Sequence, residues 1–159
     1  MITVLDELDY EAENSYQLTV RASDSYSSKW AEVTVSVQVV DVNDNPPEFM
    51  EYFYNVTVSE ATAIASEILK VTSMDKDTEN NKGVSYRLEN FNGTIPEHFY
   101  MEGSSGALIL KKGLDREKIT SHHFTIVATD TGSPPLSSTA NVLISGNIIN
   151  MLYDLMFLS

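Results

Sequence analysis

Oxygen-bearing side chains are concentrated in one short segment of this sequence. Residues 41–47 read Asp-Val-Asn-Asp-Asn-Pro-Pro, so four such side chains lie within five residues and two prolines follow. One interpretation is a solvated polar turn, because Asp, Asn and Pro all favour turns. The other is a site for a hard cation, because calcium takes six to eight oxygen ligands from carboxylates, amides and backbone carbonyls. The prolines would stop a strand at this point on either interpretation.

Further carboxylates occur at related places and favour the cation site. Asp75 and Asp77 end one predicted strand, Asp130 ends another, and Asp9 with Glu11 precede a third. No histidine or cysteine takes part in these clusters, which disfavours zinc and copper. The pattern therefore predicts calcium bound by oxygen ligands.

The composition excludes several other functions. The 159 residues include 10 Lys+Arg and 23 Asp+Glu, which gives a formal net charge of −13. Such acidity argues against binding to nucleic acid or to an anionic membrane surface, because both need a basic footprint. The sequence has no cysteine, so disulfides, thiolate metal sites and cysteine nucleophiles are excluded.

Most of the sequence alternates apolar and polar residues with a period of two, as half-buried strands do. A continuous apolar run at 107–110 indicates a strand buried on both faces. Many short strands separated by turn clusters predict an all-β sandwich. The alternating runs lie at 16–22, 31–39, 54–58, 84–88, 124–128 and 140–144.

The sequence also repeats itself at the length of a whole sandwich domain. Residues 8–11 (Leu-Asp-Tyr-Glu) match 114–117 (Leu-Asp-Arg-Glu), 106 residues later, and 22–24 (Ala-Ser-Asp) match 128–130 (Ala-Thr-Asp) at the same distance. We therefore predict the C-terminal part of a truncated repeat with its linker at 1–47, a complete repeat at 48–146 and a divergent apolar tail at 147–159. The Ser-Gly-Asn triplet at 145–147 breaks the alternation of apolar residues at the end of the last predicted strand.

Taken in order, these motifs resemble the extracellular repeats of the cadherin superfamily, over residues 1 to about 146. The resemblance implies a Greek-key β-sandwich of cadherin-like, immunoglobulin-like architecture. The run 130–138 (Asp-Thr-Gly-Ser-Pro-Pro-Leu-Ser-Ser) is most like Fat-type or protocadherin-like members. The other matching segments are 8–11, 22–24, 41–49, 58–60, 75–77, 114–117 and 128–130.

The resemblance implies up to three calcium ions at the junction between the repeats, one of them with a full ligand set in this chain. The seven carboxylates of the implied set carry −7, which three calcium ions nearly balance with +6. Without calcium these carboxylates should repel one another and let the repeats swing. The implied ligands are Asp9, Glu11, Asp41, Asp44 and the Val42 carbonyl, with Asn43, the Asn45 carbonyl, Asp75, Asp77, Asp130 and the Asn81 carbonyl at the ion nearest the second repeat.

Other polar residues carry weaker expectations. Glu60, Asp115 and Glu117 match the upstream half of a following calcium site whose central motif is missing here, so they are either orphaned ligands or surface carboxylates. Asn55 and Asn92 begin N-glycosylation sequons. His122 and His123 are neighbours on a predicted strand and cannot reach one metal ion, and His98 is isolated.

The resemblance implies part of a calcium-dependent cell-adhesion ectodomain that recognises other cadherin ectodomains, homophilically or heterophilically. The expected location in the parent protein is the extracellular face of the plasma membrane, although the chain shows no signal peptide or membrane-spanning segment. One alternative is a soluble decoy or non-functional truncated product. Another is a carboxylate-based hydrolase, against which the clustering of the acids at a domain end argues. We expect no enzyme activity.

Overall fold

The computed structural model describes residues 1–77, 83–90 and 96–147. The chain divides into two compact units, residues 1–42 and the remainder from Asn43. The predicted all-β fold is confirmed, since every element in the described part of the chain is a strand. None of the described residues forms a helix long and apolar enough to cross a membrane.

The first unit is built on an antiparallel hairpin. Strand β1 spans Ser15–Ser23 and β2 spans Trp30–Gln38, paired from Ser15 with Gln38 to Ser23 with Trp30. The turn between them is closed by Asp24, whose carboxylate accepts hydrogen bonds from the Tyr26 amide (2.9 Å) and the Ser27 hydroxyl (2.7 Å). These donors lower the pKa of Asp24, with the backbone bond to Tyr26 as the larger cause.

The second unit carries the other nine strands of the described ranges. A four-stranded sheet has the order β4-β11-β10-β7, a three-stranded sheet has the order β5-β9-β8, and β3 pairs with β6. Strands β4 and β11 run parallel, whereas the other pairs are antiparallel. The bounds are β3 Glu48–Phe49, β4 Phe53–Ser59, β5 Glu67–Lys70, β6 Ser73–Met74, β7 Ser85–Asn90, β8 Phe99–Glu102, β9 Ala107–Leu110, β10 Ser121–Thr129 and β11 Ser137–Asn147.

The core of the second unit lies between its two larger sheets. Phe124 and Ile126 of β10 pack with Ile144 of β11, and Leu108 and Leu110 of β9 meet them from the three-stranded sheet. Strand β9 lies at the centre of its sheet and is buried along most of its length, as its continuous apolar run indicates. Burying such side chains contributes about 1.5–3 kcal/mol each.

The last strand extends beyond the alternating run at 140–144. Strand β11 continues to Asn147, because its second edge pairs in parallel with β4 through Gly146 opposite Val58 and Asn147 opposite Ser59. Because β11 pairs with β10 on one edge and with β4 on the other, its backbone stays extended beyond the point where apolar and polar side chains stop alternating. The first residue of the predicted tail thus belongs to a strand, and residues 148–159 lie outside the described residues.

Candidate metal centre

The predicted ligands of the second unit lie on three segments that meet at one end of the sandwich. Asn43, Asp44 and Asn45 precede β3, Asp75 and Asp77 follow β6, and Asp130 follows β10. The short pair β3–β6 joins the first two segments, with Glu48 opposite Met74 and Phe49 opposite Ser73.

The entry into β3 is held from two further sides. The Pro47 side chain is fully buried, and its carbonyl accepts a hydrogen bond from the Ser138 hydroxyl of β11. Phe49 is 3% exposed in the core, with its ring 6.0 Å from that of Tyr86. The segment 41–47 therefore ends at residues that are fixed in the core, as its two prolines predict.

Asp130 is a buried carboxylate that organises the loop between β10 and β11. It is 4% exposed, and its oxygens accept hydrogen bonds from the amides of Gly132 (3.0 Å) and Leu136 (3.0 and 3.1 Å). The Asp130 amide donates in turn to the Leu136 carbonyl at 3.0 Å. Hydrogen bonds to a charged group are stronger than those between neutral groups, so this loop is tightly closed on its carboxylate.

Asn43 lies against this loop and is oriented by it. Its amide nitrogen donates to Asp130 Oδ2 at 3.1 Å and to the Pro134 carbonyl at 2.7 Å. Because both neighbours are acceptors, the nitrogen must face them and Oδ1 must face away. Oδ1 is buried and has no hydrogen-bond donor among the described residues. A buried acceptor without a partner costs about 1–3 kcal/mol, so the arrangement suits a cation or an ordered water at Oδ1.

Asp77 is the second buried carboxylate among these predicted ligands. It is 2% exposed, and the Asn45 side-chain amide donates to Asp77 Oδ1 and to Asp44 Oδ1, both at 2.8 Å. The Asn45 backbone amide adds a longer bond to Asp77 Oδ2 at 3.4 Å. Carboxylate oxygens of Asp44 and Asp77 lie within 4.8 Å of each other, and one neutral amide group bridges them.

Asp75 adjoins the same segment. Its Oδ1 accepts a hydrogen bond from the Asp77 backbone amide at 3.0 Å, which fixes the turn after β6. The Asn81 carbonyl, predicted as a further ligand, lies outside the described residues.

In the described part of the chain, no Lys or Arg forms an ion pair with either buried carboxylate. Within the described ranges, the Lys and Arg ion pairs lie elsewhere and none reaches Asp77 or Asp130; they are Arg21–Glu32, Arg87–Glu89, Lys112–Glu97 and Lys118–Asp115. Burying a carboxylate without a paired charge or a metal is strongly unfavourable. The donor set consists of carboxylate, amide and carbonyl oxygens, which fits calcium and not a soft metal.

The predicted ligands of the first unit come from two segments of the chain. Asp9 closes a turn, where its Oδ1 accepts hydrogen bonds from the amides of Glu11 (2.9 Å) and Ala12 (3.1 Å). Asp41 and Val42 follow β2.

The three carboxylates assigned to a following site are only partly brought together. Glu60 follows β4 and accepts a hydrogen bond from the Arg116 amide, which places it beside the 115–117 loop. Asp115 is paired with Lys118 (Oδ2 to Nζ, 2.6 Å), and the hydrogen bond from Lys118 lowers the pKa of Asp115. Glu117 is exposed. Glu60 and Asp115 are half-buried, and the choice between orphaned ligands and surface carboxylates stays a prediction.

The remaining predicted sites are less informative. Asn55 is exposed on β4, where a glycan would meet solvent, and Asn92 lies outside the described residues. His98, which is isolated in sequence, has its ring centroid 4.9 Å from that of buried His122, whereas His123 is exposed on the opposite face of β10. Burial is the main cause that lowers the pKa of His122, followed by the charges of His98 and His123.

Sequence reasoning missed a role for Gly132, which it noted only as part of the run 130–138. The structure places this glycine directly against the Asn43 side chain. Its proximity to Asp130 in sequence is a signal that could have drawn attention to it.

Comparison with known proteins identifies the family. The family model described as Cadherin domain matches residues 54–145. The Fat-like cadherin-related tumor suppressor homolog of Drosophila melanogaster is 42% identical over 150 residues, which are 94% of this chain and 3% of that relative.

Solved structures agree with this match. The mouse clustered PcdhgC3 EC1-3 structure is 30% identical with a TM-score of 0.80, over 89% of this chain and 46% of that one. The protocadherin gammaB7 EC3-6 cis-dimer structure is 28% identical with a TM-score of 0.81, over 89% of this chain and 34% of that one. The predicted resemblance to Fat-type and protocadherin-like members is confirmed. This chain belongs to the cadherin family.

Proposed function

We propose that this chain is part of a calcium-dependent adhesion ectodomain, in which calcium stiffens the junction between two cadherin repeats. The observation that carries the proposal is the buried Asn43 Oδ1, which has no hydrogen-bond donor among the described residues and lies beside the Asp130 carboxylate. Within residues 1–77, 83–90 and 96–147, the hydrogen-bond donors to that carboxylate and to Asp77 are neutral amides. A calcium ion would satisfy the amide oxygen and neutralise the buried charge.

In this proposal the second repeat supplies one complete ion site. The side-chain oxygens of Asn43, Asp75, Asp77 and Asp130 bind the ion, together with the carbonyls of Asn45 and Asn81. By the family pattern, the remaining ligands belong to up to two further ions. Those ligands are Asp9, Glu11, Asp41, Asp44 and the Val42 carbonyl.

The proposed mechanism is electrostatic. Two unit charges at 4 Å interact with about 1 kcal/mol in bulk water and about 4 kcal/mol near a protein surface, and the seven proposed carboxylate ligands form many such pairs. A calcium ion bound between these carboxylates attracts each of them and so offsets their mutual repulsion. The repeats would then act as a stiff rod that presents its surfaces to another ectodomain.

The proposed partner is another cadherin ectodomain, either a second copy or a different member. One solved relative, protocadherin gammaB7 EC3-6, forms a cis-dimer, which supports pairing between ectodomains as the mode of action. The extracellular face of the plasma membrane is the proposed location of the parent protein. The alternatives of a decoy, a truncated product or a hydrolase gain no specific support from the described residues.

The test is a calcium titration of this chain by calorimetry, with thermal unfolding in calcium and in chelator. Calcium should raise the melting temperature, because a ligand at 100 times its Kd stabilises the folded state by about 2.7 kcal/mol. Magnesium at the same concentration is the control, since it prefers a smaller octahedral site and retains its water. Equal melting temperatures in calcium and in chelator would contradict the proposal.

A further inference from the structure

The loop between β10 and β11 has no room for a side chain at position 132. A Cβ atom built on Gly132 would lie 2.0 Å from Asn43 Cγ, 2.1 Å from Oδ1 and 2.3 Å from Nδ2. A Cβ built on Gly113, by contrast, would meet nothing within 4 Å. The Asn43 amide group therefore occupies the volume that any residue other than glycine would need at position 132.

The loop is not free to withdraw from this contact. The Gly132 amide donates to Asp130 Oδ1 at 3.0 Å, and the Leu136 amide and carbonyl close the loop on Asp130. A side chain at 132 would instead displace Asn43, which would lose its bonds to Asp130 and to the Pro134 carbonyl. Those two bonds hold Nδ2 on the two acceptors of the loop and so fix the direction of Oδ1.

We propose that Gly132 is a positioning residue for calcium binding: it makes room for the Asn43 amide, so that Oδ1 is presented to the ion. This inference rests on the proposed function, because it assigns Asn43 Oδ1 to calcium. Gly132 itself contacts no ion and acts only through Asn43.

The decisive experiment is a double-mutant cycle in calcium affinity. The variants are Gly132→Ala, Asn43→Ala and the double substitution, each titrated with calcium by calorimetry. Gly132→Ala should weaken binding about tenfold or more, which is the usual effect of losing a residue that orients a ligand. In the Asn43→Ala background the same substitution should change affinity by less than about threefold, because the displaced amide is already gone.

Gly113→Ala is the matched control, since it makes the same chemical change where there is space. Its calcium affinity should equal that of the unsubstituted chain. If Gly132→Ala fails to fold while the double variant folds, the steric clash with Asn43 is supported directly. Thermal unfolding of each variant in chelator distinguishes these cases.

The outcomes that overturn the inference differ from those that overturn the proposed function. If the unsubstituted chain does not bind calcium, the proposed function fails and the inference fails with it. If that chain binds calcium and Gly132→Ala binds equally well, only the inference fails. An equal loss from Gly132→Ala in both backgrounds would also overturn it, because a purely structural loop defect acts without Asn43.

Discussion

At the residue scale, two aspartates of the second unit show how environment separates a candidate ligand from a surface acid. Asp77 is 2% exposed and contacts neutral amide donors from Asn45. Asp115 lies in a loop beside Lys118, with which it forms an ion pair that lowers its pKa. Asp115 therefore has a local counter-charge, although solvent screens an exposed pair of this kind. Among the described residues, Asp77 pairs with no Lys or Arg.

Asp77→Ala should therefore weaken calcium binding far more than Asp115→Ala. We expect a loss of tenfold or more for Asp77→Ala, because a buried carboxylate ligand is removed. Asp115→Ala should leave the affinity within about twofold, since it removes a charge that is already paired with Lys118. Calorimetric titration of both variants checks this. Equal losses would show that the calcium junction has been assigned to the wrong end of the repeat.

At the scale of elements, β10 carries two polar environments at opposite ends. The strand ends at Thr129 beside Asp130, and near its start His122 meets His98, which precedes β8. The Phe99 ring contacts His122 edge-on at 5.1 Å between centroids. Together with neighbouring residues, these histidines line a pocket of about 350 Å³. Burial in this setting disfavours the charged imidazole.

Acid should destabilise the second unit through His122. The pKa of His122 is lowered in the folded state relative to its unfolded value of about 6.5, so the unfolded state binds more protons between the two values. This contribution is complete above pH of about 6.5 and is lost as pH falls through the folded pKa. His122→Phe should flatten the decrease in the free energy of unfolding below pH of about 6.5, measured by urea unfolding in chelator.

His123→Asn serves as the control for that measurement. His123 is exposed on the same strand, so its replacement should leave most of the pH dependence in place. A pH dependence unchanged by His122→Phe would contradict the assignment.

At the scale of the whole molecule, the dominant property is negative charge. The formal net charge is −13, and a net charge far from zero destabilises a compact state by self-repulsion. Sodium chloride screens that repulsion, because the Debye length falls from about 30 Å at 0.01 M to about 8 Å at 0.15 M.

Sodium chloride should therefore raise the melting temperature of the calcium-free chain over this range. The rise should be smaller in saturating calcium, because bound calcium has already neutralised part of the charge. Sucrose at equal osmolality is the control for effects that do not depend on charge. The same rise with and without calcium would contradict a calcium site within the acidic clusters.

The strands were predictable because their signal is local. Alternation at residues 124–128 places Phe124, Ile126 and Ala128 on one face, and all three are buried. The short strands β3 and β6 were not predicted, because a strand of two residues is too short to show a period of two. Their existence depends on a partner distant in sequence.

For the candidate site, the sequence by itself determined which residues carry the oxygens, because the Asp-Val-Asn-Asp-Asn-Pro-Pro order of 41–47 is written in the chain. Only the tertiary structure decided how they are oriented. Asn43 meets Asp130, Gly132 and the Pro134 carbonyl, which are about 90 residues away along the chain. Those contacts, and the burial of Asp77, arise from the packing of β3, β6, β10 and β11 at one end of the sandwich. Hydrogen-bond direction and steric exclusion act over a few ångströms in space, and residue spacing along the chain does not encode them.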